Sequence, residues 1–490
     1  MALGWIIAGS IFVFILLLTL GRVKIVFDYK EDLILKVKYL FFPLVTIPAT
    51  KPKKENPPKK KKSKKKAGGA AEDKPEDEKT EENKPKKKIS LTDILEVAKL
   101  ALDSLGKPLK RILKRTVFAH LALRISCGGE DAAKTAPDFD RIYGAWLGRC
   151  AGCLLGQPVE GWRRARINGL LEETGNLPLK TYISSDIPAP LREKYDVRDD
   201  HHAYGAEKTG WINNVSYMPE DDDTNYTLLA LKLVEQYGRD FTPDDAAENW
   251  LMNLPLLHTC TAERVAYINL AQALFPPQSA SWRNPYREWI GAQIRGDLFG
   301  YICPGDMKTA AEMAWRDAAI SHVKNGIYGE MWVAAMLAKA AVCDDMRTVV
   351  RSGMRQIPKE SRLYEELSEM LRRYDAGGTA EQTAAYIFEK YNENNGHHWC
   401  HTISNAAIVA LGLLWSEMDF TRTMGLCLTM GFDTDCNCAT AGSVLGMMLG
   451  AQNLPEAWTA PLHDTVLSGV DGFGLVRISD MAARTKVLAE

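Results

Sequence analysis

Two acidic runs more than two hundred positions apart hold the residues best suited to chemistry: Glu220-Asp221-Asp222-Asp223-Thr224 and Asp433-Thr434-Asp435. Each immediately precedes a segment predicted to be helical, the first from Tyr226 and the second from about Cys436. Carboxylates at the start of one helix usually serve as a solvated cap favoured by the helix dipole. Two such runs in one chain point further, because clustered carboxylates repel one another and need compensating positive charge. Hard oxygen donors from two loops are what Mg²⁺ or a similar ion prefers. A pair of ions about 3.5–4 Å apart could grip vicinal hydroxyls and activate a water, so the expected chemistry is metal-assisted hydrolysis.

The elements that must position these runs are helices. From Pro137 onward apolar residues recur at helical spacing, as in Tyr226–Gln236, Ala310–Ser321, Met331–Val342 and Ile403–Trp415, while strand-like alternation is scarce. Gly144, Gly148, Gly152 and Gly156 recur every four residues, as do Gly442, Gly446 and Gly450. That spacing lines one helix face with missing side chains and lets another backbone approach closely, a pattern familiar from membrane helix dimers. Arg149 interrupts the first segment and neither segment reaches the ~18 apolar residues of a membrane span, so both read as central helices of a tight bundle. Cys150-Ala-Gly-Cys153 falls inside the first glycine helix with no second CxxC to complete a zinc site, and the ten cysteines form no paired framework. Reduced thiols in a cytoplasmic domain follow. His397, His398 and His401 offer an i, i+4 zinc pair that lacks a fourth ligand.

The first 136 residues are of another kind. A net charge of −1 conceals 29 Lys and Arg against 16 Asp and Glu in residues 1–136, and 32 against 46 in the rest. Uncharged Gly4–Leu20 reads as a single-pass anchor over residues 1–21, uncleaved because Arg22 and Lys24 follow it rather than precede it. The same basic residues place the remainder of the chain on the cytoplasmic side of the cell membrane. Alternation in Val23–Phe27 and Leu33–Tyr39 predicts a β-hairpin within residues 22–50, and the Lys- and Glu-rich stretch 51–89 a disordered linker. Within residues 90–136, Ser90 caps an amphipathic helix, and Val117–Ile125 reads as a strand before GGEDAAKTA. This layout resembles the front half of an uncharacterised membrane-associated family of spore-forming bacteria. The acidic balance of the second part argues against nucleic acid as a partner.

Three stretches carry a more specific resemblance. GAWLGRCAGCLLGQPVEG (Gly144–Gly161), DDDT (Asp221–Thr224) and GFDTDCNCATAGSVLG (Gly431–Gly446) together resemble the ADP-ribosylglycohydrolases of the dinitrogenase reductase-activating type, over residues 137–490. The resemblance implies an all-α orthogonal multi-helix bundle with a binuclear Mg²⁺ centre, Mn²⁺ being the alternative ion. It implies hydrolysis at the anomeric carbon of an ADP-ribosyl group on a protein or small molecule, and no obligate protein partner. By motif, Asp221, Asp222, Asp223, Asp433 and Asp435 become metal ligands, with Asp221 standing where the family commonly has Thr or Ser. Cys436 occupies a position that is often Thr, and a thiol is a poor Mg²⁺ ligand, so the coordination and the occupancy of one metal stay open. Glu160, Asp222 and Asp435 become the catalytic residues, Glu160 positioning or deprotonating the attacking water. Gly291 and Arg295 resemble the loop that lies against the diphosphate. His322, Asn325, Gly326 and Tyr328 fall in a second substrate-side segment, and His401 and Asn405 in scaffold. A domain of the same fold that binds ADP-ribose without turnover is the alternative, which the departures at Asp221 and Cys436 would permit.

Overall fold

The computed structural model describes residues 23–29, 33–39, 42–48, 138–200 and 209–490. The anchor read at Gly4–Leu20, the linker at 51–89, and the helix and strand read within 90–136 lie outside the described residues. Among the described residues no helix is long and apolar enough to cross a membrane. The chain divides into two compact units, Met1–Gly128 and Gly129–Glu490.

In the first unit β1 (Val23–Tyr29), β2 (Leu33–Tyr39) and β3 (Phe42–Pro48) form an antiparallel sheet in that order. Val23 faces Tyr39 and Tyr29 faces Leu33, the hairpin expected from the alternation. The third strand was not expected. It contains Pro43 and Pro48, and proline is tolerated at a strand end or an edge; β3 lies at the edge of the sheet, and its pairing with β2 shifts register at Val37/Lys38.

The second unit is mostly helical. The helices that position the site are α1 (Phe139–Gly156), α2 (Asp222–Tyr237), α3 (Thr261–Ala271), α4 (Met307–Ala318), α5 (Asn325–Ala340), α6 (Thr402–Leu414), α7 (Thr434–Leu449) and α8 (Ile478–Ala489). The four segments with helical spacing fall on α2, α4, α5 and α6. The expectation of an all-α unit needs one correction: β4 (Thr465–Ser468) and β5 (Gly474–Arg477) pair antiparallel. Four-residue strands are too short for period-two alternation to stand out from its surroundings. β4 also bridges Met218, whose N–H donates to the Thr465 carbonyl at 2.9 Å and whose carbonyl accepts from Leu467 N at 2.9 Å. The strand thus clamps the chain three residues before Asp221.

The two glycine-lined helices meet each other. A Cβ added at Gly148 would lie 2.1 Å from the Gly442 carbonyl oxygen, one at Gly152 2.1 Å from that of Cys438, and one at Gly144 2.4 Å from that of Gly446. At the end of the row, Gly156 packs on the backbone of Thr434 and Asp435, and Thr434 Oγ1 donates to its carbonyl at 3.0 Å. Backbone contact between α1 and α7 therefore sets how close the residues following α1 come to the second aspartate run. Gly148→Ala forces backbone apart rather than a side chain, which relaxes poorly. It is expected to cost about 3 kcal/mol or more, the upper range for overpacking, measured as a lowered midpoint of urea unfolding.

Candidate metal centre

Asp221 is the N-cap of α2: its Oδ1 accepts from Asp223 N at 3.0 Å and its Oδ2 from Gln157 Nε2 at 2.9 Å. Asp222 and Asp223 occupy the first helical turn. Asp433 holds the equivalent position on α7, but its carboxylate makes no cap bond. Instead its Oδ2 accepts from Cys400 Sγ at 3.2 Å, and its backbone N–H donates to Asn405 Oδ1 at 3.3 Å. Asn405 also accepts from Asn437 Nδ2 at 2.8 Å and donates to the Trp399 and His401 carbonyls, so it acts as scaffold for the α7 terminus. Glu160 follows the 3₁₀ turn Gln157–Val159 at the end of α1.

These pieces converge. Glu160, Asp221, Asp222, Asp433, Asp435 and Cys436 line one cleft of about 590 Å³. Three overlapping sets have donor atoms within 4.8 Å of one another: Cys153, Asp221 and Asp223; Asp223, Asp435 and Cys436; and Glu160, Asp433 and Asp435. Asp223 joins the first set to the second, and Asp435 the second to the third. Asp222 faces the same cleft outside these three sets.

Burial, the largest cause, pushes the carboxyls of Asp221, Asp223, Asp433 and Asp435 above the usual range. The charge of Asp435 adds to the rise at Asp221 and Asp433, whereas Arg149 opposes it at Asp223. Glu160 is accessible yet enclosed by the cleft walls. Its carboxyl is raised first by the charge of Asp435 and then by burial. The compensating cation is Arg149, fully buried, which donates to the Asp223 carbonyl at 2.6 Å, Asp223 Oδ1 at 3.0 Å and Asp297 Oδ2 at 2.9 Å. One guanidinium charge divided between two carboxylates leaves the cluster negative. Asp223 Oδ2 and Asp435 Oδ1 are buried and have no hydrogen-bond partner. A buried carboxylate oxygen without a partner calls for an ion or an ordered water. The donor set, carboxylates from two helix N-termini with an all-oxygen group at Glu160, Asp433 and Asp435, fits a hard divalent cation.

A family model described as ADP-ribosylglycohydrolase matches residues 134–486. The chain belongs to the ADP-ribosylglycohydrolase family. A solved "ADP-ribosylglycohydrolase-related protein complex" is 19% identical, with 72% of this chain and 97% of that chain covered and a TM-score of 0.44. No curated protein matches the chain.

The substrate-side residues expected from the family resemblance divide. Gly291 lines the cleft, together with Ile290 and Ile294. A Cβ at Gly291 would meet Glu263 Oε1 at 2.0 Å, so glycine here makes room for a carboxylate as well as for a cleft occupant. Arg295 does not reach the cleft. It is buried, with Nε donating to Asp317 Oδ2 at 2.7 Å and Nη1 to Glu263 Oε1 at 2.9 Å. Ile290–Arg295 is a 3₁₀ turn, in which residues three apart share a face. Gly291 and Ile294 therefore face the cleft, and Arg295, one place further on, turns to the interior. His322, Asn325, Gly326 and Tyr328 are likewise not among the residues lining the cleft. His322 is buried, its Nδ1 hydrogen-bonded with Ser321 Oγ at 2.8 Å, and burial holds its imidazole well below the usual range. Asn325 donates to Glu288 Oε2 at 2.7 Å and accepts from Leu363 N at 3.1 Å. Gly326 lies against the Arg287 carbonyl, and Tyr328 packs on the core. The helix that carries Asn325, Gly326 and Tyr328 packs against the 3₁₀ turn.

The three histidines discounted as a zinc site have other work. His401 caps α6 through Nδ1, His398 Nδ1 accepts from Asn392 N, and His397 Nδ1 accepts from Trp289 Nε1. Four residues of the centre were missed in the sequence: Arg149, Cys153, Gln157 and Cys400. The first three follow one another at i, i+4 and i+8, a second row beside the glycines on α1. Polar residues at that spacing in an otherwise apolar helix were the available signal. Cys400 carried none.

Proposed function

We propose that this chain is a divalent-metal-dependent hydrolase of the glycosidic bond at the anomeric carbon of ADP-ribosyl groups, with Mg²⁺ as the resident ion and Mn²⁺ as a substitute. The observation that carries this reading is the pair of buried, unpartnered oxygens, Asp223 Oδ2 and Asp435 Oδ1, where two helix N-termini meet: Asp435 lines the cleft, and Asp223 keeps a donor atom within 4.8 Å of those of Asp435 and Cys436. Held by Asp222, Asp223, Asp433 and Asp435, a divalent cation would neutralise the cluster and supply Lewis-acid polarisation to ribose hydroxyls and water.

The chain's own residues do the rest. Gln157 and Arg149 fix Asp221 and Asp223, while Cys400 and Asn405 fix Asp433. Glu160 faces the cleft beside Asp433 and Asp435 and takes a proton from the water that attacks the anomeric carbon. The bond from that carbon to the leaving nitrogen or oxygen breaks, the leaving group takes a proton from solvent, and Glu160 returns to solvent the proton it accepted. Trp162, Trp211 and Trp399 also line the cleft, beside Arg166 and Arg198, which share Asp196 as ion-pair partner and leave one positive charge in excess, a composition suited to adenine and diphosphate. Arg166 stacks on the Trp162 ring at 3.5 Å, which holds both in place.

The test is release of ADP-ribose from arginine-, serine- and acyl-linked substrates by the full chain, stripped of metal and resupplied with Mg²⁺. Release from at least one linkage is expected only with the metal, and undiminished release in chelator contradicts the reading. Glu160→Gln is expected to lower kcat by roughly 10²- to 10⁴-fold, measured at saturating Mg²⁺ because Glu160 also shares a donor group with Asp433 and Asp435. Binding without turnover is the second reading, favoured by Cys436 in the cleft wall. Retention of ADP-ribose with no release from any linkage supports it. Attachment to a membrane through Gly4–Leu20 belongs to the same proposal, and sedimentation of the full chain with membranes until detergent is added checks it.

A further inference from the structure

Sulfur is unevenly distributed around the centre. Glu160, Asp433 and Asp435 form an all-oxygen group, whereas the neighbouring group of Asp223 and Asp435 includes the thiol of Cys436. We propose that the centre is chemically asymmetric: beside an all-oxygen position for a hard ion, Asp223, Asp435 and Cys436 form a position that selects a thiophilic divalent ion such as Zn²⁺ over Mg²⁺. This rests on the metal-dependent reading above and specifies which ions the two positions take.

Three observations support it. Donor atoms held about 2.0–2.3 Å from one zinc ion lie no more than about 4.5 Å apart, and the three atoms here already lie within 4.8 Å of one another. Asp223 and Asp435, only 0% and 2% exposed, each keep one oxygen without a hydrogen-bond partner. Cys436 is 6% exposed and faces the cleft, so an ion can reach it from solvent. Thiolate selects zinc and its neighbours in the softness order, while carboxylate and water suit magnesium and manganese. On binding, the Cys436 S–H bond gives way to a sulfur–metal bond and the thiol proton leaves to solvent. Cys153 belongs to a separate group with Asp221 and Asp223 and, unlike Cys436, is not among the cleft-lining residues. It serves as the control thiol.

Co²⁺, whose bonds to thiolate absorb in the near ultraviolet, is the optical stand-in for Zn²⁺. The metal-free full chain is titrated with Co²⁺, with Zn²⁺ in competition, and separately with Mn²⁺ followed by electron paramagnetic resonance. A thiolate-to-cobalt band is expected in the wild type and in Cys153→Ala, and its loss in Cys436→Thr. Zn²⁺ binding is expected to weaken by roughly 10- to 100-fold in that variant, with Mn²⁺ binding unchanged. Cys436→Ser, closest in size to the native residue, repeats the measurement should the threonine variant misfold. Survival of the band in Cys436→Thr overturns the proposal, as does Mn²⁺ binding by a wild type that gives no band. Failure of every ion to bind overturns the metal-dependent reading itself, and this inference with it.

Discussion

Asp435→Ala is expected to lower ADP-ribose release by at least about 100-fold, more than the loss of a residue that merely orients a ligand. Asp435 belongs to two of the three donor groups, with Asp223 and Cys436 on one side and with Glu160 and Asp433 on the other. Its removal therefore weakens both positions at once. The same substitution should leave the metal-free protein at least as stable as the wild type, because it removes a buried negative charge from among Asp221, Asp223 and Asp433. Only the stability gained on adding metal should be lost, since an ion that binds the folded state alone stabilises it by mass action. Single-turnover release together with thermal melting in chelator and in Mg²⁺ checks both halves. A variant that is inactive because it has unfolded would contradict the account.

Arg149→Met has the opposite sign on stability. The guanidinium is wholly buried among Asp223, Asp297 and the carbonyls of Asp223 and Ile294. Removing it leaves two buried carboxylates without their counter-charge, a loss of about 3–5 kcal/mol for a broken buried pair. Urea unfolding of the full chain measures it. Asp297→Asn added to Arg149→Met is expected to restore part of the loss, because one of the stranded charges is then neutral. Strict additivity of the two substitutions would show that Arg149 and Asp297 do not act as a pair. Residues within one cluster thus respond in opposite directions: the aspartates are held against repulsion for function, and the arginine makes that holding feasible.

Much of this was legible because each signal was local and repeated. An aspartate run before a helix is unremarkable once, and two imply a shared destination. The glycine rows on α1 and α7 announced a close backbone approach, and Gly148 and Gly442 do meet. What stayed hidden depended on which way a side chain turns. Gly291 and Arg295 lie in one motif, yet a 3₁₀ turn sends them to opposite sides, one to the cleft and the other into ion pairs with Glu263 and Asp317. His322 and Asn325 have the chemistry of ligand-binding residues but spend it on Ser321, Glu288 and Leu363. Arg149 served in the sequence only as an argument against a membrane span. That it is the counter-charge of Asp223 rests on contacts 74 residues apart, which no periodicity reveals. β4 and β5 were too short to register, though β4 anchors the segment leading into Asp221.

The most direct test of the central claim is Mn²⁺ binding by the metal-free full chain, followed by electron paramagnetic resonance beside the Asp435→Ala variant under the same conditions. Saturable binding by the wild type, weakened at least about 100-fold in the variant, is the predicted result. Equal binding by the two proteins, or none by the wild type, would contradict it.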